Sequence, residues 1–233
     1  MDKNYIEFRS RKLIGEILAR SAELWPGKQE ISFADVVDPA MAARVLGVDY
    51  QLHPELRWFT RPFSPLEETA GILDREGSRI LIAEKFKFET RRFTAAHEIG
   101  HLLLHDGVEE TIMHRDRPID GLTREDTARP WYEREANHFA ACFLVPRKRL
   151  KEAFQYVFST NIPFVFDDAA AFELCRQDPD SLLRPDDETL ARGLALASAT
   201  HFRGKHFVPL HQQFRVSVTS MAIRIEELGL IQQ

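Results

Sequence analysis

The sequence predicts an α+β protein, mainly helical, with one small β-sheet and a helical C-terminal region. Three observations predict it. Apolar residues recur at helical spacing over long stretches, two short Ile/Leu-rich runs flank Arg75-Glu76-Gly77-Ser78, and the last forty-odd residues have the rhythm of two helices about a break. The 233 residues fit a main domain with an appendage, which we place at 1–156 and 157–233.

From the N-terminus, Ile6, Leu13, Ile14, Ile17, Leu18 and Leu24 predict a helix over 6–24, ended by Pro26-Gly27. A short helix is expected over Pro39 to Leu46, closed by Gly47, and a strand over Val48 to Leu52. The prolines between Trp58 and Pro65 argue for a loop. Residues 70–74 and 79–83 read as a hairpin, and a helix spanning 93–105 follows. An exposed strand ahead of that helix could hold an extended peptide through its backbone, but the sequence does not say which strand lies at the edge.

Residues 106–130 are polar and read as a long connection, of the kind that rims active sites. A helix starts at Trp131, with Ala136, Phe139, Ala140, Phe143 and Leu144 on one face, and stops at Pro146. Arg147 to Lys151 reads as a solvated helix start. Residues 167–188 hold eight carboxylates against two arginines, which predicts a boundary or exposed linker. Val208 to Phe214, a break at Arg215-Val216-Ser217, and Val218 to Leu228 have helix-turn-helix spacing, with Arg215 where the turn usually has glycine.

Composition narrows the setting. No run approaches the ~20 apolar residues needed to cross a membrane, and Met1 to Tyr5 has no signal-peptide character. Cys142 and Cys175 cannot build a disulfide framework or a cysteine metal site, so a cytoplasmic protein with reduced thiols is expected. A net charge of −5 does not mark a nucleic-acid binder.

The chemistry sits in Phe93-Thr94-Ala95-Ala96-His97-Glu98-Ile99-Gly100-His101-Leu102-Leu103-Leu104-His105. On a helix, positions i and i+4 are only ~40° apart, so His97 and His101 can grip one metal ion. Glu98 could then reach a water bound to it. The other reading of the pentapeptide is a core helix with incidental histidines.

A catalytic zinc normally takes three protein ligands. His105, ~12 Å along the axis from His97, is too far to share the ion and reads as a helix-end or second-shell residue. The elongated zinc motif would need histidine at 107, which is glycine. The next helix is the better source. Glu133 falls inside its apolar face and Glu135 at the border, so Glu133 is the first choice for third ligand and Glu135 the second. Asn137 could accept from the far nitrogen of a liganding histidine.

Together, the Phe-Thr-x-Ala-His-Glu-x-Gly-His-x-x-x-His run and the Glu-x-Glu-Ala-Asn-x-Phe-Ala run resemble the ImmA/IrrE family of zinc metallopeptidases, over roughly residues 69–146. The Glu-x-x-Ala-Asn core also resembles the Glu-x-x-Ala-Asp helix of gluzincin peptidases, which favours Glu133. The resemblance implies a zincin-like metallopeptidase domain holding one Zn²⁺. It implies cleavage of a helix-turn-helix transcriptional repressor in stress, DNA-damage or phage-defence responses. Similar proteins often carry an N-terminal DNA-binding domain; this sequence shows none, so the repressor is expected on a separate chain. Glu98 would be the general base, with His114, Tyr132 and His138 as candidate oxyanion donors. One rival is a regulator that uses metal only as a staple and leaves Glu98 without a task. Another is a deformylase-like amidase, which would usually supply a cysteine ligand.

The resemblance to damage-linked proteins also raises single-stranded DNA as a candidate activator. Arg192, Arg203, Lys205, Arg215 and Arg224, interleaved with Phe202, Phe207 and Phe214, would offer charge and stacking surfaces. The competing reading is an ordinary solvated helical tail.

Overall fold

The computed structural model describes residues 1–56, 69–105, 112–115, 130–185 and 190–232, with only the backbone of 112–115. The loop expected over 58–65 and most of the 106–130 connection lie outside the described residues. The architecture is α+β and mainly helical, and it divides into two compact units, the first ending at Leu144 and the second beginning at Val145. That division comes earlier than residue 156, because the helix after Pro146 joins the aromatic core of the second unit.

The first unit begins with α1 (Lys3–Ala19), capped by the Asp2 side chain accepting from the Asn4 amide. Ile6, Ser10, Leu13 and Ile17 are its buried stripe. The helix expected over 6–24 breaks at Arg20 and resumes as α2 (Ser21–Leu24). Ser32 and Asp35 make a reciprocal capping box on α3 (Phe33–Val36). In α4 (Pro39–Leu46), Asp38 caps, Pro39 takes the first turn, and Gly47 closes at φ 71°.

A four-stranded sheet follows: β1 (Asp49–His53), β2 (Gly71–Asp74), β3 (Arg79–Ala83) and β4 (Ile112–Arg115). Its order is β1-β3-β2-β4, with β1 parallel to β3 and β2 antiparallel to both β3 and β4. The expected hairpin is therefore the centre of the sheet. Ile72, Leu81 and Ala83 share one face with Leu56, and Phe86 packs on them. The opposite face, which carries Gly71 and Ile82, meets helix α5 (Phe88–Leu104). Among the described residues β1 and β4 are the edges, and β4 lies within the stretch read as a connection.

Helix α6 (Trp131–Leu144) crosses α5 at Gly100. A Cβ built on Gly100 would stand 3.1 Å from the Ala136 Cα, 3.2 Å from its carbonyl oxygen and 3.2 Å from the Phe139 Cβ. Glycine thus lets two helix backbones approach closely, and that approach sets how far α6 side chains reach over α5. Gly100→Val is expected to force the helices apart, at a cost of about 1–3 kcal/mol. Zinc affinity should fall with it. A thermal melt and a chelator competition check this, and unchanged values for both would show that the crossing does not depend on glycine.

The second unit contains α7 (Arg147–Phe158), α8 (Asp168–Leu174), α9 (Asp180–Leu183) and α10 (Ala191–Ser198). A two-stranded ribbon, β5 (His201–Phe202) with β6 (Lys205–His206), precedes α11 (Leu210–Gln213) and α12 (Val218–Glu227). Phe154, Phe158, Phe164 and Phe202 form its core with ring centroids 4.8–6.2 Å apart, and Phe207 lies 5.7 Å from Phe158. The linker expected over 167–188 instead contains α8 and α9. The Asp167 side chain caps α8 by accepting from the Ala170 amide, so a carboxylate counted as linker charge starts a helix.

The predicted pair of helices about a break is present as α11 and α12. Arg215 sits at φ 53°, the left-handed conformation that glycine usually supplies. No residue of α12 is exposed, however. A recognition helix needs an accessible polar face, and on α12 Thr219, Ser220, Glu226 and Glu227 are only partly exposed while Arg224 is buried.

Candidate metal centre

Helix α5 presents its chemistry from buried positions: His97, Glu98 and His101 are each about 1 % exposed. The i, i+4 spacing brings the two rings to a centroid separation of 4.5 Å, with Nε2 atoms 2.8 Å apart. Glu133, in the first turn of α6, places Oε2 3.3 Å from the His97 Nε2 and Oε1 3.2 Å from the His101 Nε2. Among the described residues this is the group of three or more His, Cys, Asp or Glu side chains able to hold a metal ion.

The donor set fits zinc. Ligand atoms 2.0–2.1 Å from a tetrahedral ion stand ~3.3 Å apart, close to the separations seen between the carboxylate and the two imidazoles. Hydrogen placement agrees. The His97 Nδ1 lies 2.9 Å from the Asn137 Oδ1, an acceptor, so the ring hydrogen belongs on Nδ1 and the Nε2 lone pair points at its neighbours. Burial works to raise the pKa of Glu133, but its contacts with His101 and His97 outweigh it and hold the carboxyl well below the usual range. An anionic oxygen and two imidazole nitrogens converge on one point. A cation resolves that arrangement best.

Glu135, the second choice, is placed elsewhere. Its Oε2 is 3.1 Å from the His105 Nε2, and its Oε1 pairs with the Met1 amino group. Glu135 is also the more buried of the two glutamates, although helix geometry put it at the border of the apolar face. Its burial comes from the N-terminal segment and His105, neither of which α6 periodicity can report. Glu133→Ala is therefore expected to weaken zinc binding more than Glu135→Ala. Paired chelator titrations measure this, and the reverse order would move the third ligand two residues along.

His105 stands at the end of α5 with Nδ1 2.9 Å from the His101 Nδ1, in contact with that ring and outside the three-atom cluster. Burial pushes its pKa down against the opposing pull of Glu135, which favours a neutral imidazole. Tyr132 lies 6.1 Å from His101 between ring centroids, whereas the His138 Nε2 sits 3.6 Å from the Cys142 Sγ. The side chain of His114 lies outside the described residues.

Three contributors were not singled out from sequence. Arg75, in the hairpin turn, donates from Nη2 to the carbonyls of His101 (2.7 Å) and His105 (3.1 Å), satisfying the end of α5. Gly71 lets β2 approach the site: a Cβ there would meet the Thr94 Cγ2 at 2.5 Å and the Glu98 Oε1 at 3.0 Å. Gly100 sets the helix crossing. A glycine between two histidines of a helical run was a readable signal for Gly100 alone.

In the second unit, Arg224 is 1 % exposed, donates from Nε to the Val145 carbonyl and pairs with Glu227, which corrects its assignment as a nucleic-acid contact. Phe202 and Phe214 are buried, so they offer no stacking face. Arg192 spends its guanidinium on the carbonyls of Leu182, Leu183 and Gln232. Arg203, Lys205 and Arg215 are exposed, and the Lys205 Nζ donates to the Ser159 Oγ. No helix among the described residues is long and apolar enough to cross a membrane.

Residues 57–161 match the family model of the IrrE N-terminal-like domain, Peptidase_M78. The matched span contains α5 and α6 with the whole histidine–glutamate cluster. No curated protein matches the chain.

Proposed function

From the premise that this chain carries a domain of the ImmA/IrrE metallopeptidase family, we propose that it is a zinc-dependent endopeptidase. We further propose that its substrate is a helix-turn-helix transcriptional repressor on a separate chain, whose cleavage relieves repression in a stress, DNA-damage or phage-defence response. The observation that carries the peptidase reading is the convergence of His97, His101 and Glu133 with Glu98 buried beside them.

In this reading His97, His101 and Glu133 hold the ion. When bound, zinc supplies a Lewis acid that lowers the pKa of water toward ~7 and polarises the scissile carbonyl. Glu98 accepts the proton of the attacking water and returns it to the leaving amine. Asn137 keeps the His97 ring in the tautomer that offers Nε2. Strand β4 pairs with β2 and, among the described residues, with no other strand. Its outer edge, unpaired among the described residues, belongs to the strand next to β2, which carries Gly71 against Glu98, and an extended substrate can add there by backbone hydrogen bonds.

Three candidate ligands favour catalysis over a staple, because structural zinc sites are usually closed by four protein ligands and rich in cysteine. The experiment incubates helix-turn-helix repressors, the products of neighbouring genes first, with the zinc-loaded enzyme and reads the products by mass spectrometry. Two fragments meeting at one peptide bond are expected. An intact repressor after prolonged incubation would overturn the substrate assignment. Adding single-stranded DNA to the same assay tests the activator reading, which now rests on the exposed Arg203, Lys205 and Arg215 and the partly exposed Phe207.

A further inference from the structure

We propose that Glu135 and His105 are positioning residues for His101, forming a carboxylate–imidazole–imidazole relay that fixes the tautomer in which His101 offers Nε2 to the metal. The proposal rests on the zinc reading of the site and assigns the support of one ligand within it. The relay is continuous: the His101 Nδ1 is 2.9 Å from the His105 Nδ1, and the His105 Nε2 is 3.1 Å from the Glu135 Oε2. All three residues are buried.

A metal on the His101 Nε2 fixes the hydrogens of the relay. The liganding nitrogen must offer its lone pair, so the His101 hydrogen sits on Nδ1 and is donated to the His105 Nδ1. An accepting Nδ1 puts the His105 hydrogen on Nε2, where it meets the Glu135 Oε2. The opposite placement would set the bare His105 Nε2 against a carboxylate oxygen and put a hydrogen on the His101 Nε2 where a metal should bind. Two acceptors in buried contact are costly.

The surroundings hold the relay in place. The Arg75 Nη2 bonds both the His101 and His105 carbonyls, fixing the turn from which the two rings project. The second Glu135 oxygen is taken by the Met1 amino group, which leaves Oε2 to face His105. Trp131 stands edge-on to the His105 ring at 5.5 Å. The two histidine ligands are thus supported differently: Asn137 orients His97 directly, and Glu135 orients His101 through an intervening imidazole.

Chelator competition on the full chain tests the relay, with wild type, His105→Leu, Glu135→Leu and Glu135→Gln compared. Loss of an outer-shell partner typically costs 10–100-fold in metal affinity, and His105→Leu and Glu135→Leu should each show it. Glu135→Gln should stay within a few-fold of wild type, because the amide oxygen still accepts from the His105 Nε2. Metal-free melting temperatures report whether each variant folds. Wild type that takes up zinc while His105→Leu binds it as tightly, or Glu135→Gln that falls as far as Glu135→Leu, would overturn the relay. Wild type that takes up no zinc would overturn the metal reading as well. Where a leucine variant does not fold, long-range ¹H–¹⁵N spectra of zinc-loaded wild type decide: the hydrogen of His105 on Nε2 supports the relay, and on Nδ1 overturns it.

Discussion

Glu98→Gln is expected to keep the metal content and melting profile of wild type, yet to lose peptide-bond cleavage by about 10²–10⁴-fold or more, on the order of what a positioned general base contributes. Glutamine has nearly the shape of glutamate, so the packing of Gly71 and Thr94 around position 98 is preserved. Its amide cannot take a proton from water, and the attacking oxygen then stays a poor nucleophile. Glu98 is fully buried on α5 yet is not one of the three clustered ligands, so metal content should not change. Near wild-type cleavage of the partner by this variant would remove Glu98 from the mechanism.

His97→Ala and His101→Ala are the second large effect: each variant should leave purification without zinc. Two remaining ligands hold the ion poorly, and the loss of one imidazole leaves the anionic Glu133 carboxylate facing a single nitrogen. The close backbone approach of α5 and α6 at Gly100 is made against Ala136 and Phe139, so the variants are expected to fold in the metal-free state. Metal analysis by mass spectrometry reads the result. Full occupancy in both variants would mean that zinc binds elsewhere.

The centre of the site was legible because it is local. Helical period alone aligned His97 with His101, and the apolar stripe of α6 placed Glu133 toward them. Asn137 followed from the same arithmetic, one turn after Glu133. What escaped depends on contacts distant in the chain. Glu135 is buried by His105, thirty residues earlier, and by Met1 at the far end of the sequence. Arg75 reaches the end of α5 from a hairpin turn, and nothing in Arg75-Glu76-Gly77-Ser78 announces that role.

Strand β4 was unreadable for another reason. Ile112-Met113-His114-Arg115 lacks the alternation and length that mark a strand, and its pairing with Gly71 to Asp74 supplies the order that propensity does not. In the second unit, Phe202, Phe214 and Arg224 are buried where the sequence suggests surface, because the spacing of residues does not report what covers them. Arg224 illustrates the point: its long side chain is buried by pairing with Glu227 and the Val145 carbonyl, an arrangement set by tertiary structure.

The most direct test of the account is anomalous diffraction at the zinc edge from crystals of the zinc-loaded chain. The account predicts one strong peak bonded to the Nε2 atoms of His97 and His101 and to the Glu133 carboxylate, with the remaining position held by a solvent oxygen within reach of Glu98. A peak closed by a fourth protein ligand, or one centred on His105 and Glu135, would contradict it.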